Sequence, residues 1–164
     1  MEIKFDVQMD EKTMYNFLLF HSYSNVVVLI GNIFGLLLAI MGVTSWNTDT
    51  SRAVLYLIFG LGMVIYTPFS LKLSAKRQMK SEVFSKPITY TVGEKGLTSS
   101  QNDVTTEASW DDMMKVVSTS KSIVLYTGKN KATILPKAAM KENYEGVVKI
   151  ISTNLPPQKV KIKQ

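Results

Sequence analysis

VVVLIGNIFGLLLAIMGV, residues 26–43, and AVLYLIFGLGMVIYTPFSL, residues 53–71, decide how the rest of the chain is read. A short polar turn, Thr44 to Arg52, separates them, and no charged residue occurs between Ser22 and Thr48. As a helix the first run extends about 27 Å, against roughly 30 Å of bilayer hydrocarbon. The second is uncharged over a similar reach. Core helices of a soluble protein carry a polar face, and these runs offer only Asn32 and scattered Thr and Ser. The pattern predicts a transmembrane hairpin with spans at 26–43 and 53–71.

Aromatic residues sit where headgroups would be, with Trp46 and Tyr56 toward the turn and Tyr23 and Tyr66 toward the other end. The turn carries Arg52 offset by Asp49, whereas Lys72, Lys76, Arg77, Lys80 and Lys86 follow the second run, opposed by Glu82. By the positive-inside rule both termini are expected in the cytoplasm. Lys72, Lys76, Arg77 and Lys80 are the candidate contacts for anionic headgroups. The net charge of +6 fits a lipid surface better than nucleic acid, because the basic residues collect beside the spans. Gly31, Gly35 and Ala39 recur every fourth residue. With Gly60 they are candidates for close packing of the two spans, and a homodimer is the alternative use of such a stripe. Neither span holds a buried charge, which argues against a transporter or pump.

Working outward, Glu2 to Met9 alternates, with Ile3, Phe5, Val7 and Met9 on one face. Period two predicts a strand, and a lone strand is unstable, so residues 1–9 are expected to join a sheet formed after the hairpin. Asp10 predicts an N-cap, and the helix it opens is expected to run through Tyr15, Leu18 and Tyr23 and merge with the first span. His21 is read as a surface residue of that helix rather than a pH switch. Residues 10–86 thus comprise this helix, the hairpin and a juxtamembrane helix over Lys72 to Glu82, ended by Lys86-Pro87.

From Ile88 the period is two. Strands are predicted at Ile88–Val92, Leu97–Gln101, Val104–Ala108, Met114–Val117, Ser122–Tyr126 and Ala132–Leu135. Turns are read at Gly93–Gly96, Asn102-Asp103, Ser118–Ser122 and Gly128–Asn130. Ala138 to Ser152 reads as one helix, stopped by Pro156-Pro157. The prediction is an antiparallel meander over 87–155 closed by one C-terminal helix. Residues 156–164 form a basic tail in which Lys159, Lys161 and Lys163 alternate with Val160 and Ile162. The fold class is therefore an α+β membrane protein, a two-helix hairpin plus a small antiparallel-sheet domain.

The motifs Val92-Gly93-Glu94-Lys95-Gly96-Leu97, Ala108-Ser109-Trp110-Asp111-Asp112-Met113, Lys115-Val116 and Ile134-Leu135-Pro136-Lys137 carry a family likeness. In their order, and placed after two spans, they make the chain resemble the bacterial YcxB-like family. The resemblance implies a pleckstrin-homology-like (PH-like) sheet domain at the cytoplasmic face of a bacterial cell membrane. It gives Trp110, Asp111, Pro136 and Lys137 a structural part, and it implies no known reaction or settled ligand.

Chemistry is sparse. The chain has no cysteine and one histidine, which excludes thiolate metal sites and leaves little for a histidine-based one. Asp111 and Asp112 are adjacent and point in different directions, so they pair poorly for acid–base work. Gly93-Glu94-Lys95-Gly96 lacks the spacing of a phosphate loop. Lys129-Asn130-Lys131 reads as a solvated hairpin tip. No nucleophile–base pair, metal site or cofactor site is read, and an enzyme is not expected. The expected function is a membrane-anchored module for an unknown membrane or cytoplasmic protein, or for lipid. The alternative is an immunity or stress-response membrane protein acting against envelope-active agents. Nucleic acid is not an expected partner.

Overall fold

The computed structural model describes residues 2–129 and 131–162 of a mixed α+β protein with two long apolar helices. Asn130 and Lys163, part of the expected hairpin tip and tail, lie outside the described residues. The chain divides into two compact units, Met1–Phe17 with Arg77–Gln164, and Leu18–Lys76.

The first unit holds two sheets around one core. Strands β1 (Ile3–Val7), β2 (Ile88–Val92), β3 (Gly96–Gln101) and β4 (Val104–Ser109) form an antiparallel sheet in that order. The alternation of β1 buries Ile3, Phe5 and Val7, and Phe5 lies opposite Tyr90 in register. On the outer face the Thr89 hydroxyl donates to Asp6 Oδ1 at 2.6 Å. Two turns set the meander. At the first, Gly93 N–H bonds Gly96 O, and Gly96 has φ +150°. A Cβ on Gly96 would overlap the Ala108 carbonyl, so only glycine fits. At the second, Asn102 and Asp103 both have positive φ, as two-residue hairpins require.

The sequence predicts one meander, and the structure departs from that. The turn of 3-10 helix at Trp110–Asp112 ends the first ladder, and β5 (Lys115–Ser118) begins a second. It pairs with β6 (Ser122–Tyr126), which pairs with β7 (Ala132–Pro136), both antiparallel. The tail adds β8 (Val160–Lys161) parallel to β5, so this sheet runs β7-β6-β5-β8. Every residue of β6 is buried, as befits a central strand.

The single closing helix is also a correction. It is divided into α5 (Lys137–Met140), a 3-10 turn at Lys141–Asn143 and α6 (Tyr144–Asn154). Lys141 adopts φ 48°, which a continuous helix cannot contain. On α6, Val147, Ile150 and Ile151 are buried in the core with Leu97, Trp110, Leu125 and Leu135. Helix α1 (Glu11–Tyr23) starts in this unit. Asp10 Oδ1 accepts Thr13 N–H at 2.6 Å, Thr13 and Met14 are buried, and Asn16 Nδ2 donates to Ser120 Oγ at 2.9 Å.

The second unit contains α2 (Val26–Thr44) and α3 (Thr50–Gln78). The expected merger of α1 with the first apolar helix does not occur. Ser24 and Asn25 break the chain, and the Asn25 side chain caps α2 by accepting Val27 N–H. Both α2 and α3 are long and apolar enough to cross a membrane. Their outer faces are bare, with Val27 76% and Tyr66 72% exposed. They touch along a seam in which Gly35, Ala39 and Gly42 of α2 meet Ala53, Leu57 and Gly60 of α3. Gly31, expected in that stripe, faces open space, and Gly42 takes part in its place. Helical period alone leaves Gly31 as near to Gly35 as Ala39 is, so it is the crossing of α2 with α3 that covers 35, 39 and 42 and leaves 31 open. Beyond the apolar part, α3 stops at Gln78. The expected continuation to Glu82 is broken at Met79–Ser81, and a separate short helix α4 (Glu82–Ser85) follows.

Candidate functional site

A groove in the sheet unit is the candidate site. The inner face of the first sheet is set by period two: Ile88, Tyr90 and Val92 on β2, Leu97, Ser99 and Gln101 on β3, and Val104, Thr106 and Ala108 on β4. Near Leu97 and Val92 this face is apolar and buried. Toward Gln101 and Val104 it turns polar and opens, and Val104 is 67% exposed although it points inward. A groove of about 530 Å³ occupies the opening. Ile88 and Tyr90 line it from the first sheet, Ala132, Thr133 and Ile134 from β7, and Met9, Val83 and Phe84 from one end.

Two glutamines hold α4 at that end. Gln8 Nε2 donates to Phe84 O at 3.0 Å. Gln101 Nε2 donates to Val83 O at 2.8 Å and to Lys86 O at 3.0 Å. Lys86 Nζ in turn donates to Asn102 Oδ1 at 3.1 Å. The polar residue on a core face therefore serves the helix that bounds the groove, since its amide meets carbonyls a four-residue helix leaves unbonded. Burial raises the Tyr90 phenol above its ordinary value. The groove lining contains no charged side chain.

The residues singled out in the sequence lie elsewhere. Trp110 is buried, and its Nε1–H donates to Gly93 O at 3.0 Å, tying the sheet-to-sheet connection to the first turn. Asp111 is exposed, and its N–H bonds Ser109 Oγ, which caps the 3-10 turn. Pro136 is buried at the end of β7. Lys137 N–H bonds Lys121 O at 2.8 Å, and its ammonium lies 5.6 Å from the centre of the Tyr144 ring, at the long end of cation–π contact. Lys72, Lys76, Arg77 and Lys80 are all exposed, and Lys72 and Lys76, four apart on α3, share a face. No group of three or more His, Asp or Glu side chains comes together among the described residues.

Residues 92–151 match the family model described as YcxB-like protein. This stretch is similar to the YcxB-like family. Its bounds take in β3 to β7 and most of α6. They leave β1 outside, although β1 completes the first sheet, and they leave out α4 and β8. The groove is thus built jointly, by Ser99, Gln101, Thr106 and β7 from the YcxB-like stretch and by Met9, Val83 and Phe84 from flanking segments. None of the curated proteins or solved structures compared with the chain matches it.

Sequence reasoning missed Gln8, Gln101 and the α4 pair Val83 and Phe84. One signal was present. Ser99, Gln101 and Thr106 occupy core-facing positions of strands, where an apolar residue is the rule, and such departures mark sites.

Proposed function

We propose that the chain is a non-enzymatic, membrane-anchored module whose YcxB-like, PH-like domain binds protein or lipid at the cytoplasmic face of a bacterial cell membrane. The observation that carries the reading is the pairing of two bare apolar helices with a separately packed sheet unit that has an open groove. Large apolar side chains left exposed along both helices need a solvent other than water. The basic residues at the C-terminal end of the second helix and just beyond it favour the orientation with both termini inside. Two sheets sharing a core with α6 support the PH-like reading. Lys72, Lys76, Arg77 and Lys80 serve as the headgroup contacts, each contributing about 1 kcal/mol beside anionic lipid.

The chain has no cysteine, so single-cysteine labelling reads topology directly. With an impermeant maleimide on intact cells, Asn47→Cys in the turn should label and Ser85→Cys should label only after permeabilisation. The reverse pattern, or release of the protein by alkaline carbonate, overturns the reading. Proximity labelling from the C-terminal end then identifies the partner.

A further inference from the structure

The groove beside β7 has the features of a strand-accepting site. The bonds from Thr127 N–H to Lys131 O (3.1 Å) and from Lys137 N–H to Lys121 O (2.8 Å) fix the alternation along the β6–β7 ladder. Thr133 and Leu135 therefore turn their backbone groups toward β6, and Ala132 and Ile134 turn theirs to the outer edge. No other strand pairs with that edge among the described residues. Three consecutive residues of β7, Ala132, Thr133 and Ile134, line the groove. A groove lying against one face of a strand would meet alternate residues, so this one meets the edge.

We propose that the groove accepts an extended, uncharged polypeptide segment of a partner protein, added as a strand to β7. The inference rests on the reading of the chain as a binding module and names what its groove binds. An extended segment supplies N–H and C=O groups at the spacing of the β7 edge, and every second side chain would enter the groove. The walls select the chemistry. Val83 and Val104 offer exposed apolar surface over a floor of Ile88, Tyr90 and Ile134, and Ser99, Gln101 and Thr106 offer neutral hydrogen bonds. A phosphate headgroup would meet no cation among the lining residues. An acyl chain would strip water from those hydroxyls and the amide and return no hydrogen bond.

The test uses the full chain in lipid nanodiscs and a displayed library of short random peptides. Ala132→Pro removes one outward N–H at the first residue of an edge strand, a position that tolerates proline. Thr106→Trp fills the groove from an exposed position. Peptides enriched on the unaltered chain should carry neutral residues at alternate positions and lose about tenfold or more in affinity on each variant. If Ala132→Pro lowers the melting temperature, Thr106→Trp decides alone. Enriched peptides that bind both variants unchanged, or no enrichment at all, overturn the proposal. So does loss of binding to phosphatidylglycerol vesicles on Thr106→Trp, which would assign the groove to lipid. A chain that resists carbonate and labels a partner, yet selects no groove-dependent peptide, loses this inference and keeps the membrane-anchored reading.

Discussion

Gly60→Ala puts the seam between α2 and α3 to a direct test. The added Cβ would stand 2.6 Å from both Ala39 N and Gly35 O, and 3.1 Å from Ala39 Cα. All three are backbone atoms, so no side-chain rotation relieves the contact, and the helices must move apart. Overpacking of this kind costs about 1–3 kcal/mol, which is about 5-fold to over 100-fold in the equilibrium between packed and separated helices. Gly62→Ala, on the same helix, meets nothing within 4 Å and is the matched control, as is Gly31→Ala on α2. Alanine in place of glycine at those open positions should leave stability unchanged or raise it slightly. The assay is energy transfer between dyes on Ser24→Cys and Ser70→Cys in mixed micelles, followed as denaturing detergent is added. The Gly60→Ala hairpin should open at a lower detergent fraction, and the two controls should follow the unaltered chain. Equal midpoints for Gly60→Ala and Gly62→Ala would refute the seam. A fall in Gly31→Ala would restore that residue to a packing role.

Three further outcomes follow from the sheet unit. Trp110→Phe keeps an aromatic ring, removes the Nε1 donor and part of the indole volume, leaves the Gly93 carbonyl unbonded beside the core, and should cost at least about 1–3 kcal/mol in denaturant unfolding. Gln101→Ala removes both bonds to the α4 segment, so amide exchange across Val83–Lys86 should speed up by about fivefold or more, with β6 unchanged. Asp10→Ala should cost about 1 kcal/mol through the lost cap. The Thr13 hydrogen bonds hold the Asp10 carboxyl below its ordinary value of 3.8. Its contribution is therefore complete above that value and is lost as pH falls through the lower folded one. The difference in stability between the parent chain and Asp10→Ala should shrink in that acid range, and a difference constant with pH would remove the cap from the account.

Some of this was written plainly in the residues. The apolar runs, the alternation of Glu2–Met9, the Asp10 cap and the turn at Asn102-Asp103 are local patterns, and period, charge and turn chemistry act over a few residues. For the same reason the sequence indicated strands well and their grouping poorly. Whether β4 and β5 continue one ladder or begin two depends on the 3-10 turn at Trp110, and the partner of β8 depends on where α6 delivers it. The break at Asn25 was hidden because apolar spacing runs on across it and a capping side chain needs only one position. Gly31 and Gly42 look alike in a stripe, and only the crossing of α2 with α3 decides which one is covered. The groove is the least legible feature. It joins Met9, Phe84, Gln101 and Ile134 from four distant segments, and the sole local trace was polar residues at core-facing places. Sequence alone set the elements, the apolar hairpin and the family likeness, because those follow from short-range preference. The tertiary structure decided the two sheets, the helix seam and the groove, because these are contacts between surfaces far apart along the chain.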